Sequence, residues 1–133
     1  MDANLNRARE GLRVCEEVAR FILEDVGLTG RFQRLRYELN AAAKPFLRNR
    51  LIQNRNASGD VGRPSLRFKN GRHRGLQDLV EANSCRVQEA LRVLEEFSRL
   101  GSVQLSQAFG RLRFRSYTLA KEILLKLPAV RHR

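Results

Sequence analysis

An internal repeat constrains the fold of this chain more than any other feature. Residues 2–21 read DANLNRAREGLRVCEEVARF, and residues 81–100 read EANSCRVQEALRVLEEFSRL. An ungapped alignment at an offset of 79 matches ten of the twenty positions, far more than ordinary composition gives by chance. The similarity continues at an offset of 77, where FQRLRYELNAAAKPFL from Phe32 aligns with FGRLRFRSYTLAKEIL from Phe109. The chain therefore contains two copies of one unit.

Each copy has the pattern of two amphipathic helices. Apolar residues recur at i, i+3, i+4 and i+7 spacing with good helix formers between them, and no strand pattern competes. We predict four helices, which cover roughly residues 2–25, 29–44, 76–100 and 106–127. The expected caps and stops are Asp2, Gly27, Thr29, Gly101 and Pro128. The predicted fold is all-α, with two αα-hairpins related by pseudo-two-fold symmetry.

Length and composition place both copies in one domain. A chain of 133 residues with 42% apolar residues buries a sizeable core, and no apolar run approaches the roughly 20 residues of a membrane span. We divide it into repeat one (2–47), a connector (48–75) and repeat two (76–127). The start, MDANLNRARE, lacks the apolar segment of a signal peptide, so we expect a cytoplasmic protein. Cys15 and Cys85 lie outside any CxxC spacing and are predicted to be packing residues.

The net charge of +12 is concentrated in the connector. Residues 48–74 contain eight Lys and Arg side chains but only one acidic residue, Asp60. The planar arginine fork binds phosphate or carboxylate through two parallel hydrogen bonds, so this density suits an anionic ligand. Charge alone favours a solvated basic loop or a nucleic-acid surface.

Several polar residues are repeated along with the apolar ones. A helical wheel places six residues on the buried face of the first helix: Ala8, Leu12, Cys15, Val18, Ala19 and Ile22. Asn4 falls at the centre of that face and Arg7 at its edge, and the repeat gives Asn83 and Arg86 the same positions. A buried arginine requires a partner, either a glutamate of its helix or a bound anion. Two interpretations remain open: a polar network that fixes helix register, or a ligand site where the copies face each other.

The connector contains RNASGDVGRP, from Arg55 to Pro64. Gly59 and Gly62 permit positive φ and expose backbone N–H groups, as phosphate-binding loops do. Asp60 is able to hold Mg²⁺ or to orient a hydroxyl group. An ordinary surface turn uses the same residue types, so this motif taken alone is interpreted as a turn.

Taken together, DANLNRAREGLRVCEE, RNASGDVG and EANSCRVQEALRVLEEFSR resemble one known family. It is the monofunctional hydroxymethylpyrimidine phosphate kinase domain of bacterial thiamin biosynthesis, which is often fused to the front of thiamine phosphate synthase. The resemblance covers nearly the whole chain. It implies transfer of a phosphoryl group from ATP, with Mg²⁺, to 4-amino-5-hydroxymethyl-2-methylpyrimidine phosphate, giving the diphosphate. It also implies that the unphosphorylated pyrimidine is refused.

The repeat and the resemblance together define the expected site. Asp60 and Arg55 are the expected catalytic residues, and Asp60 is the expected metal ligand. The expected substrate- and ATP-binding residues are Asn4, Arg7, Glu10, Gly59, Gly62, Asn83, Arg86 and Glu89. The chain departs from the family pattern ahead of the loop, where Arg55 is followed by Asn56 and Ala57 instead of Asp and Thr.

Three other functions are open at this stage. They are a basic helical RNA-binding module, a non-catalytic interaction module, and a non-catalytic domain of a thiamine phosphate synthase fusion. The expected partners are the phosphorylated pyrimidine, ATP and a fused or separate synthase domain, but neither nucleic acid nor a membrane. A site within one chain and a site across a homodimer are both compatible with the sequence, as are a stand-alone kinase and a piece of a fusion.

Overall fold

A computed structural model of the chain describes residues 2–46 and 72–128. This part of the chain contains four long helices and no strand. Helix α1 covers Asp2–Glu17 and continues as a π-helical turn, Val18–Ile22. The other helices are α2 (Val26–Phe46), α3 (Leu76–Ser98) and α4 (Val103–Lys126). The predicted all-α fold is confirmed, and none of the described helices has an apolar stretch long enough to cross a membrane.

The turn between α1 and α2 differs from the predicted one. The chain reverses at Glu24, which adopts a left-handed φ of 51°. The Asp25 carboxylate accepts a hydrogen bond of 2.9 Å from the Leu28 amide, while the Thr29 hydroxyl donates to the Asp25 carbonyl at 2.7 Å. Asp25, a better capping residue than threonine, therefore caps α2 in place of Thr29. Gly27 lies in the first turn of α2 and does not end α1.

The second hairpin also turns slightly earlier than predicted. Helix α3 ends at Ser98, and α4 begins at Val103 instead of near Ser106. The Ser102 hydroxyl caps α4 by accepting a hydrogen bond of 3.1 Å from the Leu105 amide. Ser106 is instead buried inside the helix, where its hydroxyl donates to the carbonyl of Glu95 at 2.8 Å.

The four helices pack as two hairpins, with α1 against α3 and α2 against α4. The tightest contact between α1 and α3 lies at Gly11. A Cβ atom there would lie 2.5 Å from Val87 Cγ2 and 2.9 Å from the Asn83 carbonyl oxygen. Because such distances are sterically forbidden, only glycine allows α1 and α3 to approach this closely.

The contact between α2 and α4 pairs equivalent positions of the repeat. Glu38 and Arg115 align at the offset of 77 and form an ion pair across the two helices. Arg31 and Glu122 form a second ion pair, at 2.5 Å, between the same helices. Equivalent positions of two copies meet only near the axis that relates them. The contact is therefore what a pseudo-two-fold relation between the hairpins predicts.

The apolar core is close to the one predicted for α1. Five of the six residues placed on the buried face are buried, namely Ala8, Leu12, Cys15, Val18 and Ala19. Ile22 is the exception, with 54% of its surface exposed. It ends the π-helical turn, whose wider winding changes the direction of the residues that follow an ideal 3.6-residue wheel.

Candidate functional site

A buried ion pair joins the two helices of each hairpin. In the first hairpin, Arg36 donates from Nε and Nη2 to the two carboxylate oxygens of Glu16, at 3.0 and 3.3 Å. In the second, Arg113 Nε donates to Glu95 at 2.9 Å. The Glu16 and Glu95 side chains are 5% and 11% exposed. Hydrogen bonding to these carboxylates raises the pKa of both arginines, which stay charged throughout.

The sequence interpretation did not place these four residues in any network, although the signal was available. Glu16 aligns with Glu95 at the offset of 79, and Arg36 aligns with Arg113 in the repeated RLR motif. The surroundings of the pairs differ between the copies. Gln33 of the first copy stands at the position of Gly110, where a Cβ would lie only 3.1 Å from Glu95 Oε2. The polar pairs that link the two helices of each hairpin are therefore these ones, and not the Asn4, Arg7 and Glu10 set considered from the sequence.

The predicted arginines of the site are more exposed than the wheel indicated. Arg7 and Arg86 are both exposed, whereas Asn4 and Asn83 are half-buried. The expectation that these arginines are buried is wrong, because a long side chain at the edge of a buried face extends its charged end into water. Asn83 Nδ2 donates to the Leu79 carbonyl at 2.9 Å.

The glutamates proposed as partners of these arginines do not pair with them. Glu10 and Glu89 are exposed, and neither lies within ion-pair distance of Arg7 or Arg86. Among the residues that the structure describes, Arg7 makes one side-chain hydrogen bond, a long one of 3.5 Å to Asn4 Oδ1. The expected pairing of Arg7 with Glu10, and of Arg86 with Glu89, is therefore absent from the described part of α1 and α3.

Other repeated charges on these helices are paired. Arg13 lies 3.0 Å from Glu17, and the equivalent Arg92 lies 3.1 Å from Glu96. Both are i,i+4 pairs on exposed helix surface, which contribute little to stability. On α1 and α3, Arg7 and Arg86 are the repeated pair of cations for which neither copy has a described carboxylate within ion-pair distance, and Arg34 and Arg111 share this property on α2 and α4.

Arg7 and Arg86 lie within about one helical turn, along their own helices, of the close contact between α1 and α3. Arg7 precedes Gly11 by one helical turn, and Arg86 follows Asn83 by nearly one turn. Because Gly11 contacts the Asn83 carbonyl, both arginines flank the tightest point between the helices. Two cations held by rigid helices beside one contact form a suitable environment for an anionic ligand.

The connector part of the predicted site lies outside the described residues. Arg55, Gly59, Asp60 and Gly62 all belong to it, so their assigned roles, including the metal ligand Asp60, stay predictions. Within residues 2–46 and 72–128, no group of three or more His, Cys, Asp or Glu side chains is arranged to hold a metal ion.

The two cysteines differ. Cys15 is buried as predicted, with its Sγ 3.7 Å from Ser84 Oγ, and burial raises the pKa of its thiol to about 11. Cys85 is exposed, so its prediction as a packing residue is wrong. On α3 the neighbouring Ser84 faces the core instead. Cys85 lies, with Glu89, on an open cleft of about 420 Å³ between α3 and α4.

Comparison with known protein families shows to which family the chain belongs. Residues 1–122 match the sequence model of the ThiD2 family. The chain belongs to the ThiD2 family. Three thiamine-phosphate synthases are among its curated relatives. The one from Rhodopirellula baltica is 36% identical over 133 residues, covering 100% of this chain and 36% of the relative. Those from Nostoc punctiforme and Synechocystis sp. are each 40% identical over 124 residues, covering 93% of this chain and 34% and 35% of the relatives.

This ThiD2 chain spans about one third of the length of these curated relatives. No solved structure matches it. The names of the relatives associate the ThiD2 family with thiamin biosynthesis, which is the pathway that the sequence motifs indicated.

Proposed function

We propose that this ThiD2 chain transfers the γ-phosphoryl group of ATP to 4-amino-5-hydroxymethyl-2-methylpyrimidine phosphate. One observation carries the proposal. Arg7 and Arg86 occupy equivalent positions beside the α1–α3 contact, and no described carboxylate lies within ion-pair distance of either. Phosphate groups of the two substrates are the ligands that complete such a pair of cations.

The chemistry asks little of the protein beyond positive charge and positioning. An oxygen of the substrate monophosphate attacks the γ-phosphorus of ATP and forms the new P–O bond. The bond from that phosphorus to the β,γ-bridging oxygen breaks, and ADP leaves with the electron pair. A monophosphate with a second pKa of about 6 is largely dianionic at neutral pH, so no strong general base is required. Arginines that neutralise the crowded phosphates lower the barrier.

The same arginines account for the expected refusal of the unphosphorylated pyrimidine. That molecule lacks the phosphate oxygens that accept charge-assisted hydrogen bonds from the arginines, each worth about 1.5–3 kcal/mol. The expected discrimination is on the order of a thousandfold or more. This discrimination depends on the phosphate and not on the ring, so comparing the phosphorylated with the unphosphorylated pyrimidine measures it directly.

Mg²⁺ enters the proposal as the ion that accompanies ATP. The described residues contain no donor set for it, and Asp60 remains a predicted ligand in the connector. We assign no step of the reaction to a metal held by the protein.

The names of the relatives favour a second candidate, a non-catalytic domain of a thiamine-phosphate synthase. That candidate accounts for the relatives' greater length. It gives no reason for equivalent, exposed arginines beside the α1–α3 contact.

Mass spectrometry distinguishes the two candidates. The full chain is incubated with ATP, Mg²⁺ and the pyrimidine monophosphate, and parallel reactions contain the unphosphorylated pyrimidine or no protein. We expect the pyrimidine diphosphate and ADP in equal amounts, only with the monophosphate. A folded protein that yields no diphosphate overturns the kinase proposal and leaves the non-catalytic domain.

A further inference from the structure

The cleft between α3 and α4 differs between the two copies of the repeat. It has a volume of about 420 Å³, within the range of small-molecule sites. Its lining residues are Cys85, Gln88, Glu89, Arg92, Val93 and Tyr117. All but the tyrosine, which lies on α4, belong to α3. Every one of these positions has an equivalent in the first hairpin.

Three of the six positions are identical in the first copy, where the residues are Glu10, Arg13 and Val14. The other three differ. Asn6, Arg9 and Asn40 stand at the positions of Cys85, Gln88 and Tyr117.

In the first hairpin, the three differing residues are joined by hydrogen bonds that span its two helices. Arg9 reaches from α1 to α2, where its Nη1 donates to Asn40 Oδ1 at 3.4 Å, and its Nη2 donates to Asn6. All three side chains are half-buried. In the second hairpin, the shorter Gln88 stands where Arg9 would, and the equivalent cleft is open. The substitutions that distinguish the copies are thus the ones that open one groove.

The lining of the open cleft suits a flat, amino-substituted ring. Tyr117, 44% exposed, offers an aromatic surface for stacking, and Val93 adds apolar contact. Glu89 accepts hydrogen bonds from an amino group, and the Gln88 amide both donates and accepts. Arg86 lies three residues before Glu89 on α3, a spacing that makes them neighbours on the helix surface. A phosphate attached to the ring is therefore able to reach Arg86.

We propose that the open cleft of the second hairpin binds the amino-heteroaromatic ring of a phosphorylated substrate, while Arg9 closes the equivalent groove of the first. The proposal rests on the proposed function and adds the ring site and the copy that holds it. An aminopyrimidine and an adenine share the required chemistry, so the experiment includes both.

Closing the cleft with the residues of the first copy tests this directly. The variant Cys85→Asn/Gln88→Arg/Tyr117→Asn reproduces the first groove. Tyr117→Ala removes only the ring, and Tyr117→Phe keeps it. Arg9→Gln, in the other copy, is the matched control. Isothermal titration measures the affinity of each full-length variant for the pyrimidine monophosphate and, separately, for a non-hydrolysable ATP analogue. Circular dichroism checks that each variant is folded.

We expect Tyr117→Ala to weaken binding of one of the two probes about 5- to 150-fold, the usual contribution of base–aromatic stacking. The closed variant weakens the same probe at least as much, whereas Tyr117→Phe and Arg9→Gln bind it normally. The affected probe identifies the ring as pyrimidine or adenine. Unchanged affinity of both probes for folded Tyr117→Ala and for the folded closed variant overturns the inference.

Failure of the inference is distinguishable from failure of the proposed function. If the unaltered chain makes diphosphate and the closed variant makes it at the same rate, the ring site is wrong and the kinase stands. If the unaltered chain makes no diphosphate but loses ring binding on closure, the kinase is wrong and the ring site stands.

Discussion

The two hairpins agree in their interior and differ in the groove beside it. Glu16–Arg36 in the first and Glu95–Arg113 in the second link the same pair of helices at equivalent positions. In the neighbouring groove, Arg9 hydrogen-bonds across the two helices of the first hairpin, whereas the equivalent place in the second is an open cleft. Repetition therefore preserves the buried ion pairs of each hairpin, and the copies differ at the groove where we propose that a ligand binds.

Polar residues retained in both copies are consequently of two kinds. The buried carboxylates hold the helices together and are satisfied by their arginines. Arg7 and Arg86 have no described carboxylate partner and face solvent. Loss of a buried pair should lower the stability of the fold, whereas loss of Arg7 or Arg86 should weaken ligand binding. The following variants test that division.

Breaking a buried pair has the largest expected effect. Arg36→Ala leaves the Glu16 carboxylate buried without its partner, which should reduce the free energy of unfolding by about 3–5 kcal/mol. Arg113→Ala should reduce the free energy of unfolding by less, because Arg92 lies 3.7 Å from Glu95 and partly replaces the lost charge. Urea unfolding monitored by circular dichroism measures both.

Arg13→Ala is the matched control for this pair of variants. Its ion pair with Glu17 is exposed, so the loss should be about 0–1 kcal/mol. Equal losses for Arg13→Ala and Arg36→Ala would contradict the structural role of the buried pairs.

The contact between α1 and α3 gives the next largest effect. Gly11→Ala places a Cβ against Val87 and the Asn83 carbonyl, and should destabilise the fold by about 1–3 kcal/mol. Gly30→Ala is the control within α2, where a new Cβ meets nothing within 4 Å. That change should stabilise the protein by about 0.5–1 kcal/mol, since alanine favours the helix. Stabilisation by both Gly11→Ala and Gly30→Ala would contradict the close contact between Gly11 and α3.

The Asp25 cap predicts a smaller, pH-dependent effect. The hydrogen bond from Lys126 and then that from the Leu28 amide lower the pKa of Asp25 below its ordinary value. A lowered folded pKa gives stability that is present above the unfolded value of about 3.9 and is lost as the pH falls through the folded value. Asp25→Asn keeps a capping side chain but removes the charge.

The unfolding midpoints of Asp25→Asn and the unaltered chain should therefore differ at pH 7. They should converge at a pH below the folded pKa of Asp25. A difference that persists unchanged in acid would rule out the charge of Asp25 as its cause.

Much of this architecture was predictable, because helical periodicity and the internal repeat can both be detected in the sequence without knowledge of the packing. The four helices and the buried face of α1 follow from them. The π-helical turn, which exposes Ile22, was not predictable, because an ideal wheel assumes constant winding. The Asp25 and Ser102 caps compete with neighbouring Thr29 and Ser106, and only the packed structure selects between them.

The candidate site was only partly predictable. The repeat drew attention to Arg7 and Arg86, but a helical wheel does not show how far a long side chain extends, so the sequence predicted them as more buried than they are. The partnership of Glu16 with Arg36 joins residues 20 positions apart, which requires knowing how α1 packs on α2. The difference between the two grooves depends on contacts between helices, which no single helix pattern contains.

The most direct test of the central claim compares Arg7→Ala and Arg86→Ala with Arg13→Ala, each measured for its unfolding midpoint and for its initial rate of diphosphate formation. Both site variants should keep the midpoint of the unaltered chain within the small range typical of exposed residues, about 0.5 kcal/mol in the free energy of unfolding. Their rates should fall about 30- to 1000-fold, because each loses a charge-assisted contact to phosphate. Arg13→Ala should retain the normal rate. Large midpoint losses for Arg7→Ala and Arg86→Ala, with activity intact below the melting transition, would contradict the account and make these arginines part of the architecture.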